Sequence, residues 1–377
     1  MDQAIRFERA EEKLRRLADA GLTTVAFWRG CTPVLADAVP HFQAPCCYTV
    51  DPASRLITSH FQEGMDAIPP EWPAMEYAEA GPNQIIDVAR SPSGISTLHQ
   101  ATGGDPSHTA RWQANIAYGG DQEMIAALRS RTGELWGALG LYRELGQPQF
   151  DDGELAFVRA VSPILAGGVR RSLLVGEATD PEGPGAPGMI VLDAELDLQS
   201  ISPGVDHWLE LLDTSERGSG RLPSALLAVA ARALGRAPSE TAEVAMSRVL
   251  TRSGRWLILH GITLDADAER RVAVIIEPAD PARIAPLLMA AYGLTDSEQR
   301  VTRLVLQGLS TTEIAAELVI STHTVQQHLK SVFEKTGVHS RRELVTKVFL
   351  KHYEPRLRDN ERRTQQHRPI RGGPLSE

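Results

Sequence analysis

From Leu294 to Lys351 apolar residues return at helical spacing in four short runs, each headed by a capping residue, with almost no chain between the second run and the third. Thr295 or Asp296 heads the first run, which places Val301, Leu304 and Val305 on one face and stops at Gly308. Ser310 and Thr311 open the second, with Ile314, Ala315 and Leu318 inward. Only Val319, Ile320 and Ser321 separate it from the third, where Val325, Leu329, Val332 and Phe333 recur. Helices joined by so short a turn must cross steeply, which leaves the third free to protrude and enter a DNA major groove. Its outward positions, Thr322, His323, Gln326, Gln327 and Lys330, carry hydrogen-bonding groups and no acid. Gly337 ends this run, and Ser340 caps a fourth that carries Leu344, Val345, Val348 and Phe349.

These positions resemble the LuxR/NarL-type helix-turn-helix domain. The resemblance runs through Leu294-Thr295, Glu298, Val301, Leu304 and Gly308, then Ser310, Glu313-Ile314-Ala315, Leu318 and Ser321. It continues through Thr324-Val325, His328-Leu329, Lys335, Gly337-Val338 and Arg341. It implies that Thr311, Thr312, Thr322, His323 and Thr324 position phosphates of double-stranded DNA while Gln326, Gln327 and Lys330 face base edges. It also implies a homodimer held by the fourth helix, with Leu344, Val345, Val348 and Phe349 available, on a short inverted repeat, and contact with RNA polymerase if the protein activates. One position departs from the family: Gln326 stands where lysine is usual after the Thr-Val pair. A phosphate charge is lost there, and an amide suited to an adenine edge takes its place. His328, on an inward helix face, reads as a core residue with no ligand role.

Charge separates this end from the rest. Residues 290–377 carry 14 Lys+Arg against 10 Asp+Glu, a balance of +4, which leaves −13 for residues 1–289 out of the total of −9. An acidic body with a basic end suits a DNA reader attached to a sensory module. The chain's lysines are Lys13, Lys330, Lys335, Lys347 and Lys351, so none lies between positions 13 and 330. A phosphate-binding loop needs Gly-Lys-Ser/Thr, and a phosphorelay receiver needs a lysine beside its acidic cluster; neither can exist in residues 14–329. Input by phosphorelay or by ATP is thereby excluded. Cys31, Cys46 and Cys47 have no zinc-ligand spacing and fit a reducing compartment, so no metal or cofactor is expected. No apolar run approaches the roughly 18 residues that span a bilayer, and the acidic start is no signal peptide. A soluble, cytoplasmic bacterial protein with no membrane partner is the expectation.

The 377 residues leave room for two or three domains. Residues 4–20 read as an amphipathic helix that either pairs with its twin in a dimer or lies on its own domain. CCYTVDPASRLITSHF, from Cys46 to Phe61, is strand, turn, strand, with Asp51-Pro52 starting the turn. Residues 70–115 are helical and loop-rich. Strands return at 124–129 and 135–142, and Asp151-Asp152 caps a long helix ending near Leu174. That order, and above all ELWGALGLYRE followed by FDDGELAFVRAVSPILAGGV, resembles the GAF fold, which implies a sheet with helices on one side and a ligand pocket on the other. Pocket candidates are Cys47, Tyr48, Phe61, Trp72, Trp112, Tyr118 and Trp136, although aromatic side chains in such places are more often core. After the Pro/Gly-rich linker at 177–188, MIVLDAELDLQSISPGVDHWLELL resembles the opening of a PAS domain; a divergent spacer is the alternative. A helix over 223–234 and strands over 242–251, 256–262 and 271–276 follow, and a helix over 282–292 abuts Leu294.

The expected fold class is α+β: a GAF-like domain over 22–176 and a PAS-like domain over 189–281, both α/β, then an all-α four-helix LuxR-type domain over 294–352. Residues 1–21 form the leading helix, 282–293 the connecting helix, and 353–377, rich in Arg, Gln and Pro, a disordered tail. The function to expect is a one-component, non-enzymatic transcription regulator that senses a small-molecule effector. Two alternatives stay open: control by a partner protein through the acidic front half, and an enzyme targeted to DNA, for which no nucleophile elbow, zinc helix or phosphate loop is found.

Overall fold

A computed structural model describes residues 3–63, 71–175, 187–212, 222–235, 245–251, 253–266, 269–279 and 281–350, together with residue 365. The expected linker at 177–188 lies almost wholly outside these residues, and of the tail expected at 353–377 only residue 365 is among them.

Two helices lead the chain, α1 (Gln3–Asp19) and α2 (Thr24–Ala38). The apolar stripe of α1 is buried at Ala10, Leu14 and Ala18, and Phe7 stacks on Phe157 with ring centroids 4.6 Å apart. α1 therefore lies on its own domain, with Ile5 the exposed apolar residue near its start. α2 carries Gly30 and Pro33 inside it, both poor helix formers. Gly30 packs against α1: a Cβ there would meet Leu17 Cδ2 at 2.8 Å, so a larger residue would require the Leu17 side chain to shift.

Next come β1 (Cys46–Val50), β2 (Ile57–Phe61), α3 (Trp72–Tyr77), α4 (Ile85–Arg90), β3 (Ile95–Thr97), α5 (Leu98–Ala101), α6 (Ala110–Ala117), β4 (Gln122–Arg129), β5 (Leu135–Arg143) and α7 (Asp152–Ser172). The strands form one antiparallel sheet in the order β2-β1-β5-β4-β3. α7 begins with a capping box in which Asp151 accepts from the Glu154 amide and Glu154 accepts from the Asp151 amide. It packs against β4, β5, α1 and α2, while α3 and α6 belong to the opposite, Tyr48-bearing side of the sheet.

A second sheet, ordered β7-β6-β10-β9-β8, is built from β6 (Gly188–Leu192), β7 (Leu198–Ile201), β8 (Met246–Leu250), β9 (Trp256–Ala266) and β10 (Glu269–Pro278). Helices α8 (Val205–Leu212) and α9 (Ser224–Leu234) accompany it. α9 is almost entirely apolar and touches α3, β2 and β8. One continuous apolar cluster runs from Tyr48, Ile57 and Trp72 through Leu226 and Val229 to Leu257, Val272 and Ile276. The two sheets share a core and form one compact unit. Asp51 in the turn after β1 and Arg248 in β8 join them as a buried ion pair, Nη2 to Oδ1 2.6 Å.

A second compact unit holds α10 (Pro281–Ala291), α11 (Asp296–Leu306), α12 (Thr311–Leu318), α13 (Thr322–Thr336), α14 (Arg341–Val345) and a π-helical turn over Thr346–Leu350. Its core is Met289, Leu294, Val301, Val305, Ile314, Ala315, Val325, Leu329, Val332, Val338, Leu344 and Val348. The architecture is thus two antiparallel sheets with helices, followed by an all-helical domain. Among the described residues no helix is long and apolar enough to cross a membrane, and no cluster of His, Cys, Asp and Glu could hold a metal ion.

Candidate nucleic-acid interface and front cavity

Helices α11 to α14 each start where the sequence supplies an acceptor for an unpaired backbone amide. Thr295 and Ser310 form capping boxes with Glu298 and Glu313; Ser321 and Ser340 accept from the amides of Thr324 and Glu343. The α12–α13 turn is closed by Val319 in the left-handed conformation, φ 56° and ψ 46°, with the side chain 89% exposed. A β-branched residue pays about 1–2 kcal/mol to sit there. Val319→Asn should therefore stabilise the domain by about 0.5–1 kcal/mol and raise its urea midpoint. A lower midpoint would mean that the valine packs despite its exposure.

Three polar ties brace the domain, two of them on α13 itself. Glu298 of α11 accepts from Lys335 Nζ at 2.7 and 3.0 Å and from Ser331 Oγ at 2.7 Å. Burial works to raise the Glu298 pKa, but these bonds and the Thr295 amide outweigh it and hold the carboxyl at about 2. Arg341 donates to the Leu309 carbonyl at 2.7 Å and to Thr311 Oγ1 at 2.9 Å, binding α14 to the start of α12. Lys347 donates to the Thr336 carbonyl at 2.6 Å, satisfying the end of α13. Lys335 and Lys347 are thus committed within the fold. Sequence periodicity cannot show this, although Glu298, Lys335 and Arg341 all stand in the family pattern.

With α13 held, Thr322, His323, Gln326, Gln327 and Lys330 are exposed along one face, and Thr312 is exposed on α12. Thr311 and Thr324 are half-buried: Thr311 is bonded to Arg341, and the Thr324 hydroxyl lies 2.8 Å from Ser321 Oγ. Gln327 and His323 sit one turn apart with their nitrogens 3.2 Å apart, so each orients the other. His328 is only half-buried rather than a full core residue. Leu344 and Val348 lie in the domain's own core, in one cluster with Met289, Val301 and Val332, which corrects their expected place on a dimer surface. Val345 is half-buried, and the Phe349 side chain lies outside the described residues.

In the front unit, a small cavity of about 40 Å³, open on one side to solvent, lies between the Tyr48 face of the first sheet and α3 and α6. Tyr48, Trp72 and Tyr118 line it, with Phe42, Cys46, His60, Gln62, Asn115 and Tyr142. The other four expected residues do not. Register pairs Cys47 with Phe61 and Tyr48 with His60, so strand alternation turns Cys47 and Phe61 to the opposite face. Trp136 is fully buried outside the cavity, next to a register shift in the β4–β5 ladder that resets the alternation. The Trp112 indole donates to Asp121 at 3.0 Å. Sequence reading passed over Cys46, His60, Gln62 and Tyr142, although the spacing of two along β1, β2 and β5 carries that signal.

Burial leaves the lining uncharged. It pushes the Cys46 thiol up to about 12, drives His60 down to about 4 and lifts Tyr48 and Tyr142 well above the ordinary phenol value. Arg111 of α6 is paired to Glu123 at 2.8 Å and to Glu76 at 3.0 Å behind this lining. Cys46 donates to Gln62 at 2.9 Å. Protonated thiols of this kind are poor nucleophiles and poor metal ligands.

Residues 293–348 match the model of the family described as bacterial regulatory proteins, luxR family. The spore germination protein GerE of Bacillus subtilis is 40% identical over 56 residues, covering 15% of this chain and 76% of that protein. The nitrate/nitrite response regulator protein homolog of Haemophilus influenzae is 48% identical over 48 residues, 13% of this chain and 23% of that one. A protein of Mycobacterium bovis named as an HTH-type transcriptional regulator is 50% identical over 52 residues, 14% of this chain and 6% of that protein. The chain thus spans only a small part of the mycobacterial relative. Among solved structures, the phage VqmA-DPO complex has a TM-score of 0.16 at 17% identity, covering 48% of this chain and 89% of that one. That score assigns no fold to residues 1–289. Through its helical domain, with four capped helices and a short turn before α13, the chain belongs to the LuxR family of bacterial regulatory proteins.

Proposed function

We propose that this protein is a one-component transcription regulator that reads double-stranded DNA with α13 and takes its input through the front unit. The observation that carries the reading is the exposed run Thr322, His323, Gln326, Gln327 and Lys330 on α13, which contains no acid and is held in place by the Glu298–Lys335 and Lys347–Thr336 ties. Thr311, Thr312, Thr322, His323 and Thr324 position phosphates, and Gln326, Gln327 and Lys330 meet base edges. With Gln326 in the place of a usual lysine, readout leans on amides, so salt dependence is shallower than a lysine there would give. The protein acts as a homodimer on an inverted repeat, through Val345 and other residues outside the core of α14, and meets RNA polymerase where it activates. The first sheet with its helices serves as a GAF-like input module for a small molecule, and the second, PAS-like, relays or senses.

Fluorescence anisotropy on a selected DNA site tests the reading helix. Gln327→Ala and Lys330→Ala each weaken binding by about 1–3 kcal/mol, Gln327 with loss of base preference and Lys330 with a smaller salt slope. If neither substitution weakens binding, α13 is not the reader.

A second reading, control by a partner protein, draws on the net charge of −13 carried by residues 1–289. A basic partner would complement it, and such a complex would dissociate with rising salt.

A further inference from the structure

The front cavity contains a mismatch that packing alone does not explain. Trp72 is 4% exposed and Asn115 is 9% exposed, both line the cavity, and neither Trp72 Nε1 nor Asn115 Nδ2 has a hydrogen-bond partner. A buried donor left unpaired is costly, and native interiors contain few of them. Here two belong to one cavity. Among the other polar groups of the wall, Gln62 is engaged by Cys46, Gln43 and Ala44, and Tyr142 by Glu123.

The walls are flat and uncharged. Trp72 stacks on Tyr48 with centroids 5.1 Å apart and planes at 11°, and His60 lies 5.2 Å from Tyr48 on the other strand. Arg111 lies over the Trp72 ring at 5.7 Å and its Nη2 has no hydrogen-bond partner, but its charge is balanced by Glu123 and Glu76 and it is not part of the cavity lining. A carboxylate entering the cavity would lose its hydration and gain no counter-charge. A ligand without acceptors would leave both donors as they are.

We infer that the cavity between β1, β2, β5 and helices α3 and α6 is a binding site for a small, flat, uncharged molecule with hydrogen-bond acceptors, such as a heteroaromatic ring or carbonyl, taken by Trp72 Nε1 and Asn115 Nδ2. This rests on the reading of the front unit as the input module. The site has a mechanical outlet within the same unit. Trp72 opens α3, and Tyr77 at the other end of α3 accepts from the Ile57 amide at 3.0 Å. Arg232 of α9 lies over the Tyr77 ring at 5.4 Å, so a shift of Trp72 reaches the helix that packs on the second sheet.

The test titrates the full chain, labelled with ¹⁵N, with nicotinamide and with the smaller pyridazine. The charged near-isosteres nicotinate and 1-methylnicotinamide serve as controls, and toluene is the ring without acceptors. The indole resonance of Trp72, assigned by its loss in Trp72→Phe, should move with nicotinamide or pyridazine at millimolar concentration. The charged probes and toluene should bind about tenfold more weakly or worse, the factor for one lost hydrogen bond or one desolvated charge. Asn115→Leu removes the second donor at similar volume; it should weaken the uncharged probe about tenfold while the ligand-free melting temperature stays level or rises. That combination, firmer fold and weaker binding, is not produced by a merely structural asparagine.

Binding of neither uncharged probe overturns the inference, and so does preferential binding of 1-methylnicotinamide, which would make the aromatic wall a cation cage. Equal binding to Asn115→Leu and Trp72→Phe overturns the assignment of the donors. Anisotropy on DNA separates this site from the regulatory reading: a bound probe that leaves DNA affinity unchanged keeps the site and removes its role as input. Loss of DNA binding in Gln327→Ala bears on α13 alone.

Discussion

Asp51→Ala should destabilise the front unit by about 3–5 kcal/mol, the penalty for leaving half of a buried ion pair behind. Asp51 is 1% exposed and accepts from the Arg248 amide and Nε, both at 3.0 Å, and from Nη2 at 2.6 Å. It also accepts from the Ala53 amide at 3.0 Å, which shapes the turn between β1 and β2. Alanine deletes every one of these acceptors and leaves the Arg248 guanidinium in a low-dielectric seam between two sheets. Chemical denaturation followed by tryptophan fluorescence should show the midpoint falling accordingly. Asp51→Ala combined with Arg248→Met should recover much of the loss, because an apolar pair of similar bulk carries no desolvation cost. If the double variant is as unstable as Asp51→Ala alone, the pair is not what joins the sheets.

The same aspartate marks how far sequence reading reached. Asp51-Pro52 was legible as the start of a turn, and a turn is there. That its carboxylate also reaches a residue 197 positions away was not legible, since no local pattern encodes a long-range partner. The helical domain was readable in detail because its information is local: Thr295, Ser310, Ser321 and Ser340 cap, Gly308 and Gly337 stop, and the apolar spacing decides the core. The second helix was not readable, because Gly30 and Pro33 argue against a helix until Leu17 is seen against Gly30. Of the pocket candidates picked by residue type alone, Tyr48, Trp72 and Tyr118 line the cavity. Cys47, Phe61 and Trp136 were misplaced where alternation, and the register shift in β4–β5, decide which face a side chain takes. Leu344 and Val348 show the same limit on α14: an apolar helix face reads alike whether it meets its own core or a second copy.

Glu298→Gln should cost the helical domain about 2–3 kcal/mol and weaken DNA binding through α13 without touching DNA. The carboxylate is 6% exposed and takes both Lys335 contacts and the Ser331 hydroxyl, while also closing the capping box of α11. An amide of the same shape keeps one acceptor oxygen, so the box can survive, but it loses the charge that balances Lys335. Because Lys335 is 34% exposed, water takes up part of that loss, which keeps the cost below that of Asp51→Ala. The pH dependence gives the sharper check. A carboxyl lowered from 4.5 to about 2 in the folded chain stabilises it fully above 4.5 and progressively less as pH falls toward 2. The gap in stability between the parent and Glu298→Gln should therefore be constant from neutral pH down to about 5 and then shrink, because the protonated parent comes to resemble the amide. On DNA, the variant should lose affinity for the selected site and for unrelated DNA by similar factors, since the whole reading helix loosens and no base contact is removed. A gap that stays constant below pH 4.5 would mean that Glu298 titrates as an ordinary surface acid. The orientation of α13 would then rest on Lys347 and the apolar core alone.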